Sequence, residues 1–279
     1  MSDQAYHQSF PMLGRAQAQI WSYSPRYRRP RHFHVEPELN LVIAGSACFS
    51  VGNRIVEVAA GELIGFMPGQ DHVLLHGSED LMLFAIGMTP MLSSQVLRKA
   101  PFYQPIQLRL PAHELKHLTT RAAAITERGE ADQQIAEFWE QVHSSSQSHR
   151  YSPRGAPHVV TRRALAALAD APELGRDALA RLARANPSEL SRHFHRDVGI
   201  TLVEYRTRLR LLRVIQLVDG RAADLTAAAF ESGFGSYSQC HRAFFAEFGC
   251  GPRDYLYSGM RERIDQVFAP LDEQPQFRE

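Results

Sequence analysis

Hydrophobic residues in the first third of the chain fall in short runs that are separated by turn residues. Continuous or alternating apolar runs cover the following ranges: Leu39–Ala44, Ala47–Val51, Arg54–Val58, Leu63–Phe66 and Leu81–Ile86. Gly-Ser, Gly-Asn and Pro-Gly pairs lie between them, and such pairs favour tight turns. Short strands at about ten-residue spacing are typical of a β-sandwich or β-barrel. The pattern therefore predicts β structure over residues 17–90.

Beyond residue 90 the apolar positions change to helical spacing. They recur three or four residues apart from Leu115 to Ile125, and a second stripe follows Gly129, namely Ile135, Phe138, Trp139 and Val142. The polar stretch Ser144–Gly155 predicts a linker. The second stripe has two interpretations that the sequence leaves open. It packs against the barrel, or it helps to form a homodimer.

The last third of the chain repeats itself with a period of 50 residues. Asn186–Tyr205 aligns with Ser236–Tyr255, and identical residues occupy four pairs of positions: Arg192 and Arg242, Phe194 and Phe244, Gly199 and Gly249, Tyr205 and Tyr255. Each copy begins with a residue that caps helix N-termini and has Glu189 or Gln239 three positions later, which is the pattern of a capping box. Gly199 and Gly249 then supply a left-handed stop at the end of each copy's helix. Each copy therefore predicts one capped helix with a defined end.

Each repeated helix is preceded by a shorter helix and a tight turn. In the first copy this is Asp177–Arg184, with an apolar stripe of Leu179, Leu182 and Ala183, and in the second copy it is Leu225–Ser232. Two short helices joined by a tight turn form a helix-turn-helix unit. One long helix, residues 201–218, is predicted to hold the two units at a fixed separation, with this buried stripe: Leu202, Tyr205, Leu209, Leu212, Ile215 and Val218.

The second helix of such a unit places its first turns in the major groove, where side chains meet base edges. Phe194 and Phe244 are predicted to anchor the two helices in the core, with Leu190 and Cys240 one turn earlier. The predicted DNA contacts are the outward residues: Ser188, Ser191, Arg192 and His195 in the first helix, and Tyr237, Ser238, His241 and Arg242 in the second. A plain helical bundle with a solvated charged face is the alternative. The duplicated caps favour DNA binding.

The second copy contains these residues in order: Gly233, Phe234, Gly235, Ser236, Tyr237, Arg242, Phe244, Gly249, Pro252 and Tyr255. This set resembles the signature of the AraC/XylS family of transcription regulators, and the resemblance covers His158 to Tyr257. It implies two helix-turn-helix units in one chain that read successive major grooves of double-stranded DNA. Two residues depart from the family. Ser238 stands where a bulky residue is usual, and Phe245 stands where a lysine is usual, which puts one phosphate contact in doubt.

The predicted barrel carries two further motifs. The first contains His32, His34, Glu38 and Gly45, and the second contains Gly61, Met67, Pro68, Gly69 and His72. Their spacings resemble the two cupin motifs, although the leading glycine is missing, Met67 replaces the usual proline, and His76 lies near the usual asparagine. AraC/XylS proteins often carry a cupin-like sensor in this position. The resemblance therefore implies a small-molecule effector bound by His32, His34, Glu38 and His72.

In cupin enzymes the matching residues bind a divalent metal, so the same four side chains are candidate metal ligands. Alternation along a strand places His32 and His34 on one face, as ligation requires, and imidazoles with one carboxylate suit Fe, Ni, Zn or Mn. Two other interpretations stay open. The four side chains bind an effector or each other without any metal, or the two histidines are surface residues of a basic loop that contains Arg26, Arg28, Arg29 and Arg31.

Composition narrows the class of protein. The net charge of the chain is +1, but the charges are distributed unevenly. Residues 158–258 contain 14 arginines and 11 acidic residues, a mildly basic balance that suits a phosphate-binding surface. The three cysteines form no CxxC pair and no disulfide framework. The N-terminus is polar and no apolar stretch reaches the ~18 residues of a membrane span. We therefore expect a cytoplasmic protein without a membrane segment.

These patterns predict an α+β fold with two domains, a cupin-like β-barrel with helices and an all-α double helix-turn-helix. The expected ranges are 1–92 for the effector-sensing barrel, 93–157 for a helical connector with a candidate dimerisation region, 158–258 for the DNA-binding domain and 259–279 for a tail. The predicted function is effector-controlled transcription regulation, with no enzymatic activity and no required cofactor. A cupin-type, dioxygenase-like metalloenzyme with a helical appendage is the alternative, which leaves the 50-residue repeat unexplained.

Overall fold

The computed structural model describes residues 6–12, 15–23, 31–99, 107–128, 132–148, 157–221 and 224–258. The chain divides into two units. The barrel unit comprises Ser9–Tyr27 and His34–Pro157, and the helical unit comprises Met1–Gln8, Arg28–Phe33 and His158–Glu279. Most of the predicted basic loop, the end of the predicted linker and the predicted tail lie outside the described residues.

Strands dominate the first part of the described chain and helices the second, as expected for the predicted α+β fold. The strands are β1 (Tyr6–His7), β2 (Ala18–Tyr23), β3 (His32–Phe33), β4 (Glu38–Ala44), β5 (Ser46–Val51), β6 (Arg54–Ala59), β7 (Glu62–Phe66), β8 (His72–Gly77), β9 (Met82–Met88) and β10 (Gln107–Arg109). The helices are α1 (Pro90–Lys99), α2 (Ala112–Arg128), α3 (Asp132–Ser148), α4 (Val159–Asp170), α5 (Arg176–Ala183), α6 (Pro187–Val198), α7 (Leu202–Arg221), α8 (Leu225–Glu231), α9 (Tyr237–Phe248) and α10 (Pro252–Tyr257). Among these described helices, none has the length and apolar character to cross a membrane.

The barrel unit is built from antiparallel strands. One sheet has the strand order β10-β7-β4-β9-β2, and β5 pairs with β6 on one side and with β8 on the other. The turn between β5 and β6 is Gly52-Asn53, and Gly52 has a positive φ of 56°, a conformation that glycine adopts without steric cost. The five predicted runs correspond to β4, β5, β6, β7 and β9, with ends that differ by at most two residues.

Strand β4 separates two hydrophobic clusters. Leu39 and Leu41 belong to a cluster that includes residues of α2 and α3, whereas Val42 belongs to a second cluster with Phe49 and Phe66. Because successive side chains of a strand point to opposite faces, Glu38 shares the face of Val42. The Glu38 carboxylate therefore lies on the face of β4 that contributes Val42 to the second cluster.

Helices α2 and α3 cover the face of β4 that carries Leu39 and Leu41. The predicted stripe of α3 is fully buried in that cluster, with 0–1% exposure for Ile135, Phe138, Trp139 and Val142. Asp132 at the start of α3 accepts hydrogen bonds from the backbone N–H groups of Gln17 and Ala18, at 2.8 and 3.0 Å. The stripe thus packs within the barrel unit, and those four side chains are not available to a dimer interface. Residues 144–148, predicted as part of the linker, continue α3.

The helical unit contains the two predicted helix-turn-helix units, α5–α6 and α8–α9, with α7 between them. Helix α7 buries three residues beyond the predicted stripe, namely Leu211, Val214 and Leu217. Leu209, predicted as part of that stripe, is only half-buried. Leu182, predicted as part of the buried stripe of α5, is 55% exposed. That prediction was wrong, since Leu179, Ala180 and Ala183 alone fill the buried face of this two-turn helix.

Candidate DNA interface and sensor pocket

Helix α6 has the start and the end that its sequence predicts. The Asn186 side chain accepts a hydrogen bond from the Glu189 N–H at 2.8 Å, and Pro187 occupies the first turn. Gly199 ends the helix with a positive φ of 92°. The cap satisfies one of the N–H groups that a helix start leaves without an intrahelical partner. The first turn of α6 is therefore fixed in position.

Helix α9 has the same design with one local difference. Ser236 Oγ accepts from the Gln239 N–H at 3.1 Å, and Gly249 ends the helix with a positive φ of 71°. The Gln239 side chain accepts from the N–H of Gly235 at 2.9 Å, one residue earlier than an ordinary capping box. The preceding helix α8 is capped by Asp224, whose carboxylate accepts from two backbone N–H groups.

The buried and outward residues of both helices lie as the repeat predicts. Leu190, Phe194, Cys240 and Phe244 have no exposed surface, and burial raises the pKa of the Cys240 thiol to about 11. Six predicted DNA contacts are exposed: Ser188, Arg192, His195, Ser238, His241 and Arg242. Ser191 and Tyr237 are half-buried, and the Ser191 hydroxyl donates to the Pro187 carbonyl at 2.9 Å. The Ser191 hydroxyl therefore retains mainly acceptor capacity.

A buried carboxylate that the sequence did not single out fastens α6 to the start of α4. Asp197 accepts from the His158 N–H and the Thr161 hydroxyl, each at 2.7 Å, and from Arg196 Nε at 2.8 Å. Burial acts to raise the pKa of Asp197, but these hydrogen bonds outweigh it and hold the pKa below its usual value. The rings of His158 and His193 stack beside this contact, with centroids 3.9 Å apart. Helix α6 is thus held from its inner side while its outward residues stay exposed.

Two N-terminal strands belong to the helical unit, which the sequence did not predict. Strands β1 and β3 pair in parallel, and His7 Nδ1 lies 2.6 Å from the Tyr255 hydroxyl. Phe33 packs against Phe248, and the Arg208 guanidinium lies 4.9 Å above the Phe33 ring. Arg208 Nε also donates to a Glu247 carboxylate oxygen at 2.7 Å. These contacts complete the core behind α9 from a distant part of the chain.

Three of the predicted pocket residues lie together in the barrel unit. The candidate ligand atoms of His34, Glu38 and His72 are within 4.8 Å of one another. Nε2 of His34 is 3.1 Å and Nε2 of His72 is 3.6 Å from the same Glu38 oxygen, and Asn40 donates to the other oxygen at 2.7 Å. His32 lies in β3, two residues before His34 in the chain, and is also buried. The burial of both His32 and His34 excludes the interpretation that they are surface residues of a basic loop.

Backbone carbonyls determine which nitrogen of each pocket histidine carries hydrogen. Nδ1 of His34 lies 2.8 Å from the Glu36 carbonyl oxygen, and Nδ1 of His72 lies 3.1 Å from the Gln70 carbonyl oxygen. A carbonyl oxygen only accepts, so each Nδ1 is the donor and, in a neutral ring, each Nε2 presents its lone pair. A carboxylate also only accepts, so the hydrogen bond between His34 Nε2 and Glu38 requires a second proton on the His34 ring, which makes it an imidazolium. Carbonyl-oriented imidazoles of this kind are typical of metal ligands and are equally suited to hold a cationic or hydrogen-donating group.

The electrostatics of the pocket favour a charged carboxylate. Burial acts to raise the pKa of Glu38, but its hydrogen bond with His34 and the proximity of His72 outweigh burial and bring the pKa well below its usual value. Burial acts to lower the pKa of His34, and the hydrogen bond and charge of Glu38 raise it overall. The Phe66 ring stacks on His72 at 4.1 Å and forms an apolar wall. The site therefore combines a buried carboxylate, paired with His34, with an aromatic surface.

Both parts of the chain match known families. Residues 19–156 match the AraC-like ligand binding domain and residues 179–258 match a helix-turn-helix domain. The RCS-specific HTH-type transcriptional activator RclR of Escherichia coli K12 is 31% identical over 91 residues, which cover 33% of this chain and 30% of the length of RclR. The crystal structure of ToxT from Vibrio cholerae O395 is 12% identical over 86% of this chain and 96% of ToxT, with a TM-score of 0.45.

The matched helix-turn-helix domain thus follows the matched ligand-binding domain in the chain. The chain belongs to the AraC/XylS family of transcription regulators, as the residues of its second repeat predict.

Proposed function

We propose that this chain regulates transcription by inserting α6 and α9 into successive major grooves of an operator, under the control of a small-molecule effector bound in the barrel unit. The observation that supports this proposal is the duplication itself. Two helices 50 residues apart are capped at equivalent residues, buried on equivalent faces and exposed at two equivalent polar pairs, Ser188 with Ser238 and Arg192 with Arg242. A helical bundle without a DNA role requires none of these matches.

A footprint on an operator selected from random duplex DNA tests this proposal. Two recognition helices joined by the single helix α7 are expected to protect two major grooves about 10 base pairs apart on one face of the duplex. A single protected groove would show that only one of the two units reads DNA.

Arg192→Ala and Arg242→Ala are each expected to weaken specific binding by about 1–3 kcal/mol, because each arginine is exposed at the same position of its helix and can contact guanine with two hydrogen bonds. Gel-shift titration on the selected operator measures the effect. Arg176→Ala is the matched control, since Arg176 is also largely exposed but lies on α5, which carries none of the predicted contacts. An equal loss for Arg176→Ala would point to general charge attraction and not to base contacts.

The pocket of the barrel unit is proposed to bind the effector through His34, Glu38 and His72, with His32 beside His34 in the sequence. A buried carboxylate, two oriented imidazoles and an aromatic wall suit a small polar or cationic group. The same donors fit a divalent metal, and we propose one as an optional occupant held by His34, Glu38 and His72. When bound, it would supply a positive charge for an anionic effector.

A dioxygenase-like enzyme remains the second candidate, since the same imidazole and carboxylate donors occur in metalloenzymes. We propose that the pocket senses and does not catalyse, because its attached domain is a DNA-binding one. Metal analysis beside oxygen-consumption assays on the metal-loaded chain separates the two. Turnover of an organic substrate would favour the enzyme.

We propose a cytoplasmic homodimer, in which the region 93–157 contributes an interface through residues outside the buried stripe of α3. Sedimentation velocity at micromolar concentration, with and without operator DNA, is expected to show two chains per particle. A single chain under both conditions would contradict the homodimer and would leave the DNA-binding proposal intact.

A further inference from the structure

Phe245 is an apolar residue on the outward face of α9. The buried residues of this helix are Cys240, Phe244 and Phe248, whereas Phe245 is 56% exposed. At about 100° of rotation per residue, Phe245 falls on the helix surface between His241 and Arg242, within an arc about 100° wide. The exposed members of that arc are Ser238, His241, Arg242 and Phe245. Phe245 is therefore continuous with the predicted DNA-contacting residues.

The first recognition helix has a different residue at the equivalent position. The 50-residue repeat aligns Phe245 with His195, and the last turn of α6 contains His195 and Arg196. The last turn of α9 contains no basic residue. A positively charged residue in this turn would suit a phosphate, whereas a phenyl ring has neither a charge nor a donor to offer one. The two helices thus end in surfaces of different chemistry.

We propose that Phe245 is a specificity-determining residue that packs on the C5 methyl group of a thymine in the major groove read by α9. This inference rests on the proposed role of α9 in reading DNA. The thymine methyl is the apolar group that base pairs present in the major groove, and apolar side chains contact it directly. The thymine lies near the base that Arg242 contacts. Three residues of helix span about 4.5 Å, and base pairs are about 3.4 Å apart, so the two bases are one or two steps from each other.

Single exposed phenylalanines are ordinary on protein surfaces, so exposure by itself identifies nothing. Phe230 on α8 is 54% exposed and does not lie on a recognition helix. It offers a control of the same residue type and the same exposure within the same helix-turn-helix unit. Phe245 differs from it in sharing the outward arc with His241 and Arg242.

Uracil scanning of the selected operator tests the proposal, because deoxyuridine differs from thymidine only by the absent methyl group. With the full unmodified chain, uracil at one thymine in the groove read by α9 is expected to weaken binding about fourfold, the factor that corresponds to one buried methyl group. Phe245→Ala should bind the thymine and uracil duplexes equally, and Phe230→Ala should retain the fourfold difference. The Phe245→Ala chain is expected to fold, since the side chain is exposed.

A second variant distinguishes a base contact from a phosphate contact. Phe245→Lys is expected to lose the thymine preference and to make binding more salt-dependent by about one released counterion. The proposal is overturned if no thymine shows a uracil effect that depends on Phe245, or if Phe230→Ala abolishes the effect as well. Either result leaves the two-groove footprint unaffected, so a failure of this proposal is distinguishable from a failure of the DNA-binding proposal.

Discussion

Phe194→Ala and Phe244→Ala should each lower the free energy of unfolding of the helical unit by about 3–5 kcal/mol, the usual cost of deleting a buried aromatic ring. Both rings have no exposed surface. Phe194 packs against Tyr205 with centroids 5.2 Å apart, and Phe244 lies 4.4 Å from Phe248 and 5.4 Å from Tyr255. Each ring fixes the inner face of a recognition helix, so operator binding should fall with stability.

Hydrogen exchange of the full chain measures this effect separately in each unit. Amides of α9 should lose protection in Phe244→Ala, whereas amides of α3 in the barrel unit should keep theirs. Phe245→Ala is the matched control, because it removes the neighbouring ring from an exposed site and should change stability by less than about 0.5 kcal/mol. Equal losses of protection in the two variants would show that Phe244 is not an anchor of the core.

The helix-turn-helix units are predictable from sequence because their determinants are local. Caps, stop glycines and apolar spacing all act within about one turn of the residues that carry them. The Asn186 and Ser236 caps and the left-handed conformations of Gly199 and Gly249 occur where the repeat predicts them. The wrong prediction that Leu182 is buried also has a local cause, because a two-turn helix buries only a narrow face.

Contacts between distant parts of the chain could not be predicted in this way. Strand β1 is a two-residue segment whose place against α9 depends on Phe33 and Tyr255, 26 and 248 residues away from His7. No periodicity marks so short a strand. The sequence analysis did not predict β8 as a strand. Leu75 and His76 are neighbours that are both exposed, so this strand lacks the alternation that marks a half-buried strand.

The residues of the pocket were predictable from the sequence, but the orientation of its histidines was not. Motif spacing identified His34, Glu38 and His72 as a group, and strand alternation places Glu38 on the face of Val42. The sequence gives no information on the carbonyl groups of Glu36 and Gln70, because a backbone oxygen has no residue type of its own. Those carbonyls orient the imidazoles, and through them they determine what the pocket can hold.

His34→Ala and Glu38→Ala should each abolish the effector's influence on DNA binding while leaving the affinity of the effector-free chain nearly unchanged. Glu38 is the buried charge to which both histidines turn their Nε2 atoms, so its loss removes the electrostatic basis of recognition. An effector shifts a conformational equilibrium only by its difference in affinity for the two states, and coupling of this kind is typically worth about 1–3 kcal/mol. We therefore expect an effector-dependent change in affinity of about 5–150-fold to disappear in both variants.

A thermal-shift screen of small molecules supplies the effector, because binding to the folded state raises its melting temperature by mass action. Operator titrations with and without that molecule then compare the two variants with His76→Ala. His76 is an exposed histidine on β8, only four residues beyond His72, and its removal should leave the response intact. Repeating the titrations after dialysis against a chelator shows whether the response also requires a metal. An effector response that survives both His34→Ala and Glu38→Ala would mean that the effector binds elsewhere in the chain, whereas loss of the response in His76→Ala as well would point to general damage to the barrel unit.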